Sequence, residues 1–175
     1  MLHPRHPAPE LEVPVAGGAH FALGAHPPET FTILVFYRGK HCPICSTYLK
    51  SVEEGLDDAY AIGADVVAVS MDKADRAEAS MSEWGLKRLR LGYDLPETVA
   101  RAYGLYISSA RPGSSEPERF SEPGLVVVDR TGIVYFAQSQ SAPFTRPPFA
   151  ELVSGLKFVL DNDYPARGDL TAQAA

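Results

Sequence analysis

The 175-residue chain is poor in sulfur and indole, with two cysteines, three methionines and one tryptophan. Two thiols cannot build the several-bridge framework on which small secreted domains rely, so stability has to come from a buried core. A chain of this length is one ordinary domain, able to bury roughly 70% of the surface its unfolded form exposes. Long apolar runs are also missing. The opening MLHPRHPAP lacks the stretch of about 7 to 15 apolar residues that a secretory leader needs, and nothing approaches the roughly 20 of a membrane span. The expectation is a cytoplasmic protein without a membrane partner. Excess positive charge is the third absence: 16 Lys and Arg stand against 22 Asp and Glu, for a formal net charge of −6. That balance argues against a nucleic acid held through its phosphates.

What is present concentrates in one stretch. Phe36 and Tyr37 lead through the basic turn Arg38-Gly39-Lys40-His41 into Cys42-Pro43-Ile44-Cys45, which holds both cysteines. With Cys42 as the cap of a following helix, Pro43 falls at the first helical position, where its missing N–H is no loss. Cys45 is three residues on, which on a helix means Cα atoms roughly 5 to 6 Å apart, within the span of about 4.4 to 6.8 Å that a disulfide tolerates. A sulfur at the cap also feels the positive end of the helix dipole, and Arg38, Lys40 and His41 add charge that lowers a thiol pKa. One accessible, partly ionised sulfur and one more buried resolving sulfur make a redox dithiol.

The flanking pattern is that of an α/β domain. Residues 1–12 read as a loose proline-rich lead-in, 13–162 as the domain and 163–175 as a frayed tail. Leu11 to Val15 and His20 to Leu23 form a hairpin about Gly17-Gly18, and Phe31 to Tyr37 is apolar enough for a central strand. Ile44, Tyr48, Val52, Leu56 and Tyr60 suggest a helix running to Ala61. Ala64 to Ser70 is a second buried strand, joined to the first in a βαβ unit. A helix capped by Asp72 spans 72–84 with Ala77, Met81 and Trp84 inward. A short strand at 89–91 and a helix ending at Gly104 follow. Residues 108–122, rich in Ser, Pro and Glu, read as a flap. Leu125 to Asp129 and Ile133 to Ala137 pair antiparallel, and Phe149 to Leu160 closes the domain as a helix, with Trp84, Tyr103 and Phe158 placed in the core.

This order, with Phe36-Tyr37 before the cysteines, Val67-Ala68-Val69-Ser70-Met71-Asp72, Ala102-Tyr103-Gly104-Leu105 and Val126-Val127-Val128-Asp129-Arg130-Thr131-Gly132, resembles the alkyl hydroperoxide reductase and thiol-specific antioxidant family. The resemblance runs from about Val13 to Leu160 and implies a thioredoxin-like fold: a mixed central sheet flanked by helices, with an N-terminal hairpin. In family register Arg38 stands where peroxiredoxins have a proline, Cys42 where they have a threonine, and Cys45 on the peroxidatic cysteine. Thioredoxins read Cys-x-x-Cys at the same two places, making Cys42 the attacker and Cys45 the resolver. Exposure at the cap favours Cys42 and register favours Cys45. The thioredoxin resemblance also implies a cis-proline against the dithiol, at Pro123. The family's peroxide-polarising arginine has no match at its own position, which leaves Arg38, Arg119 and Arg146 to replace it.

The implied activity is that of a thiol-dependent antioxidant oxidoreductase cycling a Cys42–Cys45 disulfide. Its partners are a peroxide or disulfide substrate and an external thiol reductant, either thioredoxin-like or of low molecular weight. A homodimer is implied as well. Two alternatives stand beside this: a protein disulfide reductase without peroxidase activity, and a non-catalytic redox-sensing or binding module. A zinc site fits poorly, since one CxxC supplies two of four ligands and His41 would need His20 or His26 to complete it. No metal or cofactor is therefore expected. His41 is either a pKa-lowering neighbour and proton shuttle or an idle turn residue. Arg38 either serves the site or pairs with a carboxylate such as Glu53 or Glu122.

Overall fold

In a computed structural model describing residues 2–170, β-rich alternation and amphipathic helices resolve into a seven-stranded mixed sheet with helices on both faces. The strands are β1 (Glu12–Val15), β2 (Ala19–Ala22), β3 (Phe31–Phe36), β4 (Asp65–Val69), β5 (Arg90–Gly92), β8 (Gly124–Asp129) and β9 (Val134–Ser139), in the order β2-β1-β5-β4-β3-β8-β9. A separate hairpin joins β6 (Ile107–Ser109) to β7 (Arg119–Ser121), so the ends of the expected flap pair with each other. The helices are α1 (Pro43–Glu54), α2 (Leu56–Ala61), α3 (Ala74–Trp84), α4 (Glu97–Ala102) and α5 (Phe149–Asn162). No helix among the described residues is long and apolar enough to cross a membrane.

Period-two alternation divides the core. Ile33, Val35, Val66, Ala68 and Val127 face one side, under α1, α2, α3 and α5. Leu34, Phe36, Val67, Val69, Val126 and Val128 face the other, under Ala100 of α4, Tyr103, Leu105 and the N-terminal hairpin. β3 is parallel to β4 and antiparallel to β8, so every residue from Phe31 to Phe36 is buried in the centre of the sheet. That strand carries the chain to the cysteines at the start of α1.

Several expectations change. The helix after the cysteines breaks at Gly55, where a Cβ would lie 2.7 Å from the Phe149 ring, so only glycine lets α5 pack this closely. Its buried stripe is Cys45, Leu49, Val52, Leu56 and Ala59, with Ile44 and Tyr60 exposed. A strict step of four residues drifts around a helix of 3.6 residues per turn, so no single face can hold all five of the residues first assigned to it. Lys73, not Asp72, caps α3, because the Asp72 carboxylate is engaged elsewhere. Phe158 lies on the outer side of α5 and is 56% exposed, whereas Tyr103 is buried.

The lead-in is tied down along part of its length. The Arg5 amide donates to the Val134 carbonyl, the Val134 amide to His6 and the Ala8 amide to Gly132, extending the β9 end of the sheet. Arg5 also pairs with Asp169 at 2.9 Å. Of the expected C-terminal tail, residues 171–175 lie outside the described residues, as does Met1.

Candidate active site

Cys42 and Cys45 form a disulfide across the first turn of α1, with Cα atoms 5.2 Å apart. Cys42 is the N-cap with extended backbone, Pro43 occupies the first helical position, and the Cys45 amide donates to Cys42 Sγ at 3.2 Å. Neither residue is open to solvent, at 1% and 0% exposure. The accessibility expected for Cys42 is thus absent from this oxidised form, because the cap itself is packed into the core beneath the sheet.

The approach to Cys42 is held by a carboxylate that sequence reasoning treated as a helix cap. Asp72 Oδ2 accepts the Lys40 amide at 2.6 Å and Oδ1 accepts Arg76 Nε at 2.8 Å. Gly39 passes this carboxylate with φ +119, and a Cβ there would meet its atoms at 2.6 to 2.7 Å. Glycine is required both by the backbone angle and by the space. The spacing of Asp72 three residues beyond the end of β4, at the same sheet end as the cysteines, is the signal that could have revealed it.

The basic residues separate into three groups. Arg38, at the end of β3, donates from Nη2 to Glu116 at 3.2 Å, places Nε 3.3 Å from Glu122, and stacks its guanidinium 4.7 Å from the Phe120 ring centre. Of the two carboxylates foreseen for it, Glu122 is the partner; Glu53 instead accepts the amides of Lys87, Arg88 and Leu89. Arg119, on β7, points away and pairs with Glu97 at 2.7 Å. Arg146, in the loop between β9 and α5, places Nη2 3.1 Å from Cys45 Sγ. Its guanidinium stacks 5.0 Å from the Tyr48 ring centre, and no described carboxylate forms an ion pair with it. Burial pushes the Arg146 guanidinium down to about 10, opposed by Tyr48, so it remains a cation at neutral pH.

His41 packs edge-on against Phe120, with ring centres 4.7 Å apart, and both ring nitrogens are buried without a hydrogen bond to any described residue. Burial first, then the charge of Arg38, lowers its pKa, so the imidazole is neutral near pH 7. The Glu122–Pro123 bond is trans, as are all described peptide bonds, which corrects the cis-proline expectation. Here the chain passes directly between two hydrogen-bonded segments, the Glu122 amide donating to Tyr106 and the Pro123 carbonyl accepting from Gln140, and extended trans backbone spans that step. Beside Arg146 an open groove of about 330 Å³ runs between Ile44, Tyr48 and Phe144. A larger hollow of about 520 Å³ between α2 and α5 contains none of the site residues.

Among solved structures, peroxidoxin BcpB from Mycobacterium tuberculosis is 16% identical and superposes with a TM-score of 0.73, over 91% of this chain and 99% of its own. A peroxiredoxin-like protein from Aquifex aeolicus is 19% identical with a TM-score of 0.71, over 89% and 86%. The reduced 2-Cys peroxiredoxin of Plasmodium vivax is 15% identical with a TM-score of 0.73, over 92% and 98%. At these identities the likeness is one of fold. No curated protein matches in sequence. The model of the AhpC/TSA family matches residues 4–137, spanning the N-terminal hairpin, the dithiol, the βαβ unit and most of β9, and the chain belongs to that family.

Proposed function

We propose that the protein is a thiol-dependent peroxidase in which Cys45 attacks the peroxide and Cys42 resolves the product. The observation that carries this assignment is the contact between Arg146 and Cys45 Sγ at 3.1 Å. A guanidinium without a carboxylate in ion-pair contact stabilises a thiolate and polarises the oxygen it attacks. The described hydrogen bond to Cys42 Sγ comes from a neutral amide alone. Peroxide oxidises the Cys45 thiolate to a sulfenic acid, and Cys42 displaces hydroxide from it to close the disulfide. An external thiolate then attacks Cys42, forming a mixed disulfide and releasing Cys45 as the thiolate beside Arg146. A second thiol frees Cys42. Because both sulfurs are enclosed, this attack follows an opening of the cover formed by the β6–β7 flap or the Arg146 loop.

The disulfide reductase reading retains one supporting observation, the helix amide that caps Cys42 Sγ. Single variants separate the two. After one equivalent of peroxide, Cys42→Ser is expected to form a dimedone-reactive sulfenic acid and Cys45→Ser none. The reverse pattern transfers the attack to Cys42. No adduct in either variant, with insulin reduction intact in the parent protein, replaces the peroxidase by the reductase.

A further inference from the structure

Tyr48 lies three residues beyond Cys45 on α1, and so on the same side of the helix. Its ring lies beneath the guanidinium that contacts Cys45 Sγ and forms part of the open groove. Its hydroxyl is closed off from solvent and has no hydrogen-bond partner among the described residues. A buried donor left unpaired is destabilising, so this hydroxyl is suited to a ligand that accepts its hydrogen. Arg146 thus joins the two residues, its guanidinium touching Cys45 Sγ on one side and lying over the Tyr48 ring on the other, and Tyr48 and Arg146 both line the groove beside the buried sulfur.

We propose that Tyr48 donates its hydroxyl proton to the peroxide oxygen that leaves when Cys45 is oxidised. The inference rests on the assignment of Cys45 as attacker. The thiolate forms an S–O bond to the terminal oxygen of R–O–O–H, and the O–O bond breaks with its electron pair on the RO oxygen. Sulfur is thereby oxidised to the sulfenic acid and the peroxide is reduced to an alkoxide, which takes the Tyr48 proton and leaves as an alcohol. The phenolate regains a proton from the Cys42 thiol. That produces the thiolate which attacks Cys45, and the displaced hydroxide leaves as water with a solvent proton. Burial pushes the Tyr48 phenol up to about 12 against the pull of Arg146, so it stays protonated at neutral pH.

Tyr48→Phe in the Cys42→Ser background keeps the ring, the stack on Arg146 and the groove wall, and removes only the donor. The rate of Cys45 oxidation is expected to fall roughly tenfold to a hundredfold, in the lower range of general acid catalysis. The loss should be larger with tert-butyl hydroperoxide, which expels the more basic oxygen, than with hydrogen peroxide. Alkylation of Cys45 by iodoacetamide, which releases iodide and needs no proton, should match that of Cys42→Ser alone. Equal oxidation rates with and without the hydroxyl overturn the proposal, and so does an equal fall in alkylation, which reduces Tyr48 to packing. Absence of sulfenic acid in Cys42→Ser itself overturns the underlying assignment of Cys45 instead.

Discussion

Two arginines flank the dithiol, and their surroundings differ more than their distances do. Arg38 is enclosed by Glu116, Glu122 and the Phe120 ring, all from the flap side. Its charge is compensated, and what it does is fasten the flap to the end of β3. Arg146 is bounded by a tyrosine ring, the Pro143 carbonyl and a sulfur, with no described carboxylate paired to it. Arg38 lies close to the cysteines in sequence, whereas the arginine that touches Cys45 Sγ is 101 residues away from it along the chain. A cation assists chemistry when its neighbourhood leaves the charge uncompensated.

The contrast is broken most directly at Arg146. Arg146→Met keeps a long side chain over Tyr48 while removing the charge, and should slow oxidation of Cys45 by about 10² to 10³, the cost of removing one preorganised donor from a developing anion. The pKa of Cys45 should rise with it, measured as the pH dependence of alkylation in Cys42→Ser. Arg146→Lys should recover part of the rate, since a point charge is restored without the planar fork. A near-parental rate in Arg146→Met would remove the distinction between the two arginines.

Arg38→Met tests the other half. Glu116 keeps Arg111 and Glu122 keeps the Ser108 hydroxyl, so neither carboxylate is left wholly unpaired. The expected loss is about 2 kcal/mol of stability, within the range for hydrogen bonds to charged groups, read from denaturant midpoints. Cleavage by protease between residues 110 and 118 should accelerate, and the oxidation rate should fall by much less than in Arg146→Met. A larger kinetic than structural effect would move Arg38 into the chemistry.

The dithiol and the scaffold were readable because they depend on local pattern: a run from Phe31 to Tyr37 that is apolar except for Thr32, a proline at the first helical position, and cysteines one turn apart. The division of labour among Arg38, Arg119 and Arg146 was not, because it depends on which carboxylate each reaches across the fold. Glu97 claims Arg119 from 22 residues away and Glu116 claims Arg38 from 78. Asp72 shows the same limit. Its position before a helix reads as a cap, yet tertiary structure brings the Lys40 amide to it while Arg76 reaches it from one turn along α3, and two such hydrogen bonds outweigh one capping bond. Burial of Cys42 was likewise hidden, since a helix cap is exposed by default and becomes enclosed only when distant parts of the chain cover it.

Acid offers a milder way to separate the two sides. The Arg111 amide and guanidinium, with the Ser114 hydroxyl, hold the Glu116 carboxyl down to about 2 against the opposing effect of burial. An unfolded glutamate titrates near 4.3, so the folded value is the lower one. The stabilisation is then present in full above the unfolded value and is lost as pH falls from about 5 towards 2. Between pH 7 and pH 3 the parent protein should lose more stability than Glu116→Gln, whose amide does not titrate. Proteolysis at 110–118 should rise over the same interval while the Arg146 loop, which has no described carboxylate partner to protonate, stays equally protected. Equal loosening of both segments in acid would mean that a shared element, rather than the Glu116 contacts, holds the flap, and that the two arginines are not independently anchored.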